Sequence, residues 1–106
     1  MDLLKTKALD RLRRKITIET LWLYIISVLK DEPTYAYDVK VRIREKFGFN
    51  PTTITLYVVL YRLVKEGLLE VFVDEGVKKY KVTRKGENTY NNALKMINEL
   101  LGKLRS

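Results

Sequence analysis

NPTTITLYVVLYRLVKEGLL, residues Asn50 to Leu69, is the stretch on which the reading of this chain turns. Asn50-Pro51 reads as a helix start: a capping side chain, then a proline whose missing N–H costs nothing in a first turn. Thr52 and Thr53 are rival caps. Leu56, Val59, Leu60 and Leu63 fall on one side of a helix, and Gly67 ends it. The opposite side shows Thr55, Tyr57, Val58, Tyr61, Arg62 and Lys65. A firm inner face, an outer face of hydroxyls and cations, and a strand pair directly afterwards suggest a helix presented to a nucleic-acid groove. An ordinary amphipathic core helix is the competing reading.

Upstream, Tyr35 to Phe47 reads as a helix with Ala36, Val39, Ile43 and Phe47 inward and Lys40, Arg42, Arg44 and Lys46 outward. Asp31-Glu32-Pro33-Thr34 is a turn ending in a cap, and Gly48 is a left-handed stop. Two helices joined by so short a turn form a helix-turn-helix candidate. Before them, Thr17 or Lys15-Ile16 opens a helix that runs to Lys30. Ile18, Leu21, Trp22, Ile25, Ile26, Val28 and Leu29 make it apolar nearly all round, so it belongs in a core or an oligomer interface. Trp22 is either core packing or one wall of a pocket for a flat ligand between subunits. Asp2 to Arg14 is a short amphipathic helix with Leu4, Ala8 and Leu12 in line and Leu9 beside them. Alone it is too short to hold in water, so it needs a partner, a second copy of the chain being one candidate. Its cations Arg11, Arg13, Arg14 and Lys15 form a solvated face or touch phosphate.

Downstream of Gly67, Leu69, Val71 and Val73 alternate with Glu70, Phe72 and Asp74, a strand. Glu75-Gly76 is a tight turn, and Val77 to Thr83 returns with Lys78, Tyr80 and Val82 on one side and Lys79 and Lys81 on the other. From Gly76 to Gly86 stand five cations and no acid (Lys78, Lys79, Lys81, Arg84, Lys85). That is a positively charged wing, or an edge hairpin that uses lysine against aggregation, and both can hold. Thr83 caps a last helix, Lys85 to Leu104, in which Tyr90, Leu94, Ile97, Leu101 and Leu104 make a heptad seam widened by Ala93 and Leu100. Dimerisation is the favoured use of that seam. The expected fold is mainly α with a small β-hairpin. One winged helix-turn-helix domain covers 1–106: an N-terminal helix (1–15), a core (17–83) with its wing at 69–83, and a C-terminal dimerisation helix (84–106).

Composition agrees with a polyanionic partner: 21 Lys and Arg oppose 13 Asp and Glu, net +8. Without Cys or His the commonest nucleophile, general base and metal ligands are missing, so no metal site and no cofactor are expected. Asp38, Glu45, Glu66 and Glu70 stand singly in helix or strand patterns, so the chain does not read as an enzyme. No signal peptide opens the sequence. The apolar run Leu21–Leu29 is roughly half the ~20 residues of a membrane span, so a cytoplasmic protein with no membrane partner is expected.

Three motifs in order carry a resemblance. Leu56-Tyr57-x-x-Leu60-x-x-Leu63-x-x-x-Gly67, Tyr35-Ala36-Tyr37 and Lys78-Lys79-Tyr80-Lys81-Val82-Thr83-Arg84-Lys85-Gly86 resemble the winged-helix regulators of the PadR-like family, in its short branch with a single C-terminal helix. The resemblance covers roughly Ile18 to Leu104. It implies a homodimer that binds double-stranded operator DNA and usually represses transcription. The Asn50 helix would enter the major groove, and the wing would lie along the backbone. Tyr35, Tyr37, Thr52, Thr53, Ile54, Thr55, Tyr57, Tyr61, Arg62, Lys78, Lys79 and Arg84 would then face DNA. Leu4, Leu12, Trp22, Tyr90, Leu94, Ile97, Leu101 and Leu104 would join the subunits. Three departures stand out: Ala36 for a glycine, Ile54 for a small residue and Val58 for a frequent proline. The last two put apolar bulk on the DNA-facing side, where Ile54 meets a thymine methyl or a protein partner. Two alternatives follow: a protein-interaction winged helix using Ile54, Val58 and Tyr61, and a ligand-sensing repressor with a small planar aromatic effector near Trp22.

Overall fold

A computed structural model describes residues 6–106. The elements are α1 (Lys7–Ile16), a 3-10 turn (Ile18–Thr20), α2 (Leu21–Asp31), α3 (Ala36–Phe47), α4 (Thr53–Lys65), β1 (Leu69–Asp74), β2 (Val77–Val82) and α5 (Arg84–Arg105). This is the mainly α winged helix-turn-helix expected from the sequence. Leu4 lies outside the described residues.

The core is built by α2, α3 and α4. Leu21, Ile25, Ile26, Val28 and Leu29 of α2 meet Val39 and Ile43 of α3 and Leu56, Leu60 and Leu63 of α4. Leu68, Leu69 and Tyr80 close it from the hairpin side. The apolar spacings of α2, α3 and α4 are therefore spent on one another, which fixes where the outer face of α4 points.

Some expectations shift. The helix expected from Thr17 starts only at Leu21, after Thr17 breaks the path (φ −116°, ψ −89°). Hydroxyls compete there for the last carbonyls of α1: Thr17 Oγ1 donates to Arg13 O at 2.6 Å, Thr20 Oγ1 to Lys15 O and the Tyr24 hydroxyl to Ile16 O. At its other end α1 is capped by Thr6, whose Oγ1 accepts from Leu9 N at 3.0 Å. No described residue of α1 is buried. Phe47, expected inward, ends α3 at the rim because the chain turns away at left-handed Gly48. Its ring meets the edge of Tyr24 at 4.8 Å, Phe49 does so at 4.9 Å, and burial pushes the Tyr24 phenol above its ordinary pKa. Asn50 does not cap α4 and Pro51 is not in its first turn: Thr52 is the cap, and Pro51 is buried in the turn before it.

Thr34 does not cap α3 either, because its groups are used elsewhere. Its backbone exchanges two hydrogen bonds with Tyr80 (3.2 and 2.8 Å), so the α2–α3 turn forms a one-residue bridge to β2. Its hydroxyl donates to Asp38 Oδ2 at 2.8 Å, which also holds Arg42 Nε at 2.8 Å. In the hairpin Leu69 pairs with Val82 and Asp74 with Val77. Glu75 and Gly76 both take positive φ (50° and 78°), the primed turn that suits strand twist. Leu69 and Tyr80 anchor its base in the core, while Val73 near the tip is 70% exposed, so the hairpin projects as a wing.

The exit from the wing is tightly built. Thr83 Oγ1 accepts from Gly86 N (3.0 Å) and donates to Gly67 O (2.6 Å), capping α5 and tying it to the end of α4. Gly86 is required: a Cβ there would stand 2.2 Å from Leu68 O. Beyond Tyr90, which packs at the rim of the core, α5 leaves the domain. Gly86 is the only buried residue among its 22, and the radius of gyration, 15.4 Å, exceeds the ~13 Å of a compact chain this long.

Candidate nucleic-acid interface

With Leu56, Leu60 and Leu63 facing inward, the helical period leaves Ile54, Val58, Tyr61 and Lys65 as the outermost stripe of α4. Ile54 is 80% and Tyr61 66% exposed, and Lys65 Nζ sits 5.7 Å from the Tyr61 ring centre. On the flank towards α3 lie Thr53 and exposed Tyr57. Lys40 of α3 donates to Thr53 Oγ1 at 3.2 Å, with exposed Tyr37 one turn before it and Tyr35 at the N-cap of α3. On the other flank Thr55 and Arg62 line an open groove of about 1070 Å³. Trp22, Ile18, the outer side of α4 and Lys85 also line it, together with the carboxylates Glu19 and Glu66.

Hydroxyls at the start of α4 are partly engaged. Thr52 Oγ1 accepts from Thr55 N (3.2 Å) and donates to Thr55 Oγ1 (2.9 Å). The helix contains Arg62 and Lys65 and no acid. Lys40 was expected only as one outward cation of α3. Its spacing of three from Tyr37 was the available signal for its place beside α4.

The wing is less positive than the run of five cations suggested. Lys79 donates to Asp74 Oδ2 at 2.8 Å, and Lys81 lies 3.2 Å from Glu70 Oε2. The hydrogen bond to Asp74 holds the Lys79 ammonium above its ordinary pKa. Glu70 and Lys81 are direct cross-strand partners, whereas Lys79 reaches Asp74 diagonally. A two-residue turn at Glu75-Gly76 fixes this register, so the pairing was readable in advance. Lys85 donates to Glu66 O at 2.9 Å. Among the described residues, Lys78 and Arg84 are the cations of this run with no carboxylate partner and no hydrogen bond; Lys78 stacks 5.6 Å from the Tyr80 ring centre.

Among the residues expected to join subunits, Trp22 and Tyr90 pack at the rim of their own core, Tyr90 with Lys30 Nζ 5.9 Å from its ring centre. Leu12, Leu94, Ile97, Leu101 and Leu104 remain exposed. Among the described residues no helix is long and apolar enough to cross a membrane.

Solved structures of the same shape come from several bacteria. The chain is similar to a PadR-like transcription factor from Bacteroides fragilis (TM-score 0.76, 28% identity, 91% of this chain and 97% of that one). It is similar to a PadR family transcriptional regulator from Eggerthella lenta (0.73, 27%, 93% and 96%). A transcriptional regulator from Clostridium thermocellum also matches (0.73, 25%, 90% and 90%). A comparison with curated proteins finds no match. The family model described as "Transcriptional regulator PadR-like family" matches residues 25–92, from the first fully buried turn of α2 to the third turn of α5. The motifs that build the core, the wing exit and the exposed helix thus fall within one matched span, and the chain belongs to the PadR-like family of DNA-binding transcriptional regulators.

Proposed function

We propose that the chain is a homodimeric repressor that occupies an inverted-repeat operator, with α4 in the major groove and the wing along the backbone. The observation that carries this reading is the outer side of α4: exposed, free of acids and flanked by Lys40, Arg62 and Lys65. Those cations and Lys78 and Arg84 would neutralise phosphates and fix register, while Thr53, Ile54, Tyr57 and Tyr61 would approach base edges or the sugar-phosphate rim. Tyr35 and Tyr37 would touch the backbone from the start of α3. The exposed seam of α5, together with Leu12 of α1, supports a two-fold pair. A pair of this kind would set its two α4 helices about one DNA turn apart, ~34 Å. Occupying an operator is enough to block transcription, which is why repression is the proposed outcome. The groove beside Trp22 supports a planar aromatic effector as an addition to this reading.

Selection of bound duplexes from a random pool, with sedimentation of the same protein, tests the proposal. Enriched inverted repeats whose half-site centres lie about 10–10.5 base pairs or a multiple apart, bound by two copies of the chain, are expected. A monomer in solution, or enrichment without two-fold symmetry, overturns the dimeric account.

A further inference from the structure

We propose that Ile54, with Val58 one turn later, reads the C5-methyl groups of thymines, so that the preferred duplex carries thymine where each α4 enters. This rests on the DNA-binding reading above and names the base chemistry it selects. Ile54 is the second residue of α4 and lies 80% exposed at the end of the helix that reaches base edges first. The far side of the same helix is locked into the core through Leu56, Leu60 and Leu63, so the side chain is carried on a rigid support. Being β-branched, Ile54 and Val58 have few rotamers to lose on contact.

The neighbouring hydroxyls are poorer readers. Those of Thr52 and Thr55 are tied to the cap, and that of Thr53 accepts from Lys40. The most exposed large apolar side chain of the helix, Ile54, stands at this end and projects past those engaged hydroxyls. In the major groove the apolar feature of a base edge is the thymine methyl. Charge commits the surface to DNA rather than to an apolar protein patch: α4 has no acid, Arg62 and Lys65 follow on the same helix, and the whole chain is +8.

The test uses the full chain and a duplex selected from a random pool, each thymine replaced in turn by deoxyuridine, which removes one methyl and nothing else. At one or two positions per half-site the replacement is expected to weaken binding about fourfold, the factor that burial of one methyl-sized group carries. In the Ile54→Ala variant the replacement is expected to lose most of its effect at the position that Ile54 meets and to keep it where Val58 does. Thermal melting of the variant at the wild-type temperature shows that it folds. Binding indifferent to deoxyuridine, equal losses in wild type and variant at every position, or a selected half-site without thymine overturns the inference and leaves DNA binding standing. Failure to enrich any duplex overturns both.

Discussion

Helices α4 and α5 carry nearly the same apolar spacing and meet opposite fates. In α4 the stripe Leu56, Leu60, Leu63 is almost wholly buried within the chain. In α5 the stripe Leu94, Ile97, Leu101, Leu104 is between 43% and 72% exposed. Periodicity tells which residues share a face; it does not tell what covers that face. For α4 the cover is local, since α2 and α3 precede it and the hairpin follows. For α5 the domain offers only a foothold: Thr83 and Gly86 bind its first turn to Gly67 and Leu68. Tyr90 in the second turn still packs on the rim of the core, and the stripe from Leu94 onward extends past it.

The sharpest way to break that contrast is to cut each stripe. Leu60→Ala removes a fully buried side chain and is expected to cost ~2–5 kcal/mol of unfolding free energy, read by denaturant titration. Leu101→Ala is expected to leave the stability of the separated subunit within ~0.5 kcal/mol of wild type. Its effect should appear in association. About 1 kcal/mol lost from each copy, counted twice by symmetry, weakens the dimer about thirtyfold in sedimentation equilibrium. If Leu101→Ala destabilises at every protein concentration alike, α5 folds back on its own domain and the contrast is false.

The same distinction explains what was legible beforehand. The element order and the inner faces of α2 and α4 could be read because apolar period and punctuation agree at Gly48, Gly67 and Gly76. The break at Thr17 could not, because it depends on hydroxyls of Thr17, Thr20 and Tyr24 finding carbonyls on a neighbouring turn. Thr34 looked like a cap until β2 claimed its backbone, a contact 46 positions away in sequence (Thr34 to Tyr80). Phe47 looked internal because helical phase does not say where a helix runs out of core. In the candidate interface, the outward residues of α4 were correctly phased, whereas the charge of the wing was overstated. Counting cations along β2 overlooked the acids that pairing would set beside them from β1.

Charge on the wing follows the rule that separates α4 from α5: a group already engaged inside the chain has less left for a partner. Lys78 and Lys79 are adjacent, and by sequence alone they are equivalent phosphate contacts. In the structure Lys79 is held by Asp74 at 2.8 Å on the outer face of the hairpin, while Lys78 projects from the opposite face with only the Tyr80 ring beneath it. A phosphate approaching Lys79 must displace or share with a carboxylate, and the counterion release credited to that cation shrinks accordingly. Lys78→Ala is therefore expected to lower the slope of log K against log salt by about one for each subunit that makes the contact. Lys79→Ala is expected to lower it by clearly less, since a cation already paired with Asp74 releases fewer counterions on meeting phosphate. Equal slope changes in the two variants would mean that the Asp74 clip opens on the DNA and the wing offers both cations; no change in either would place the wing off the backbone.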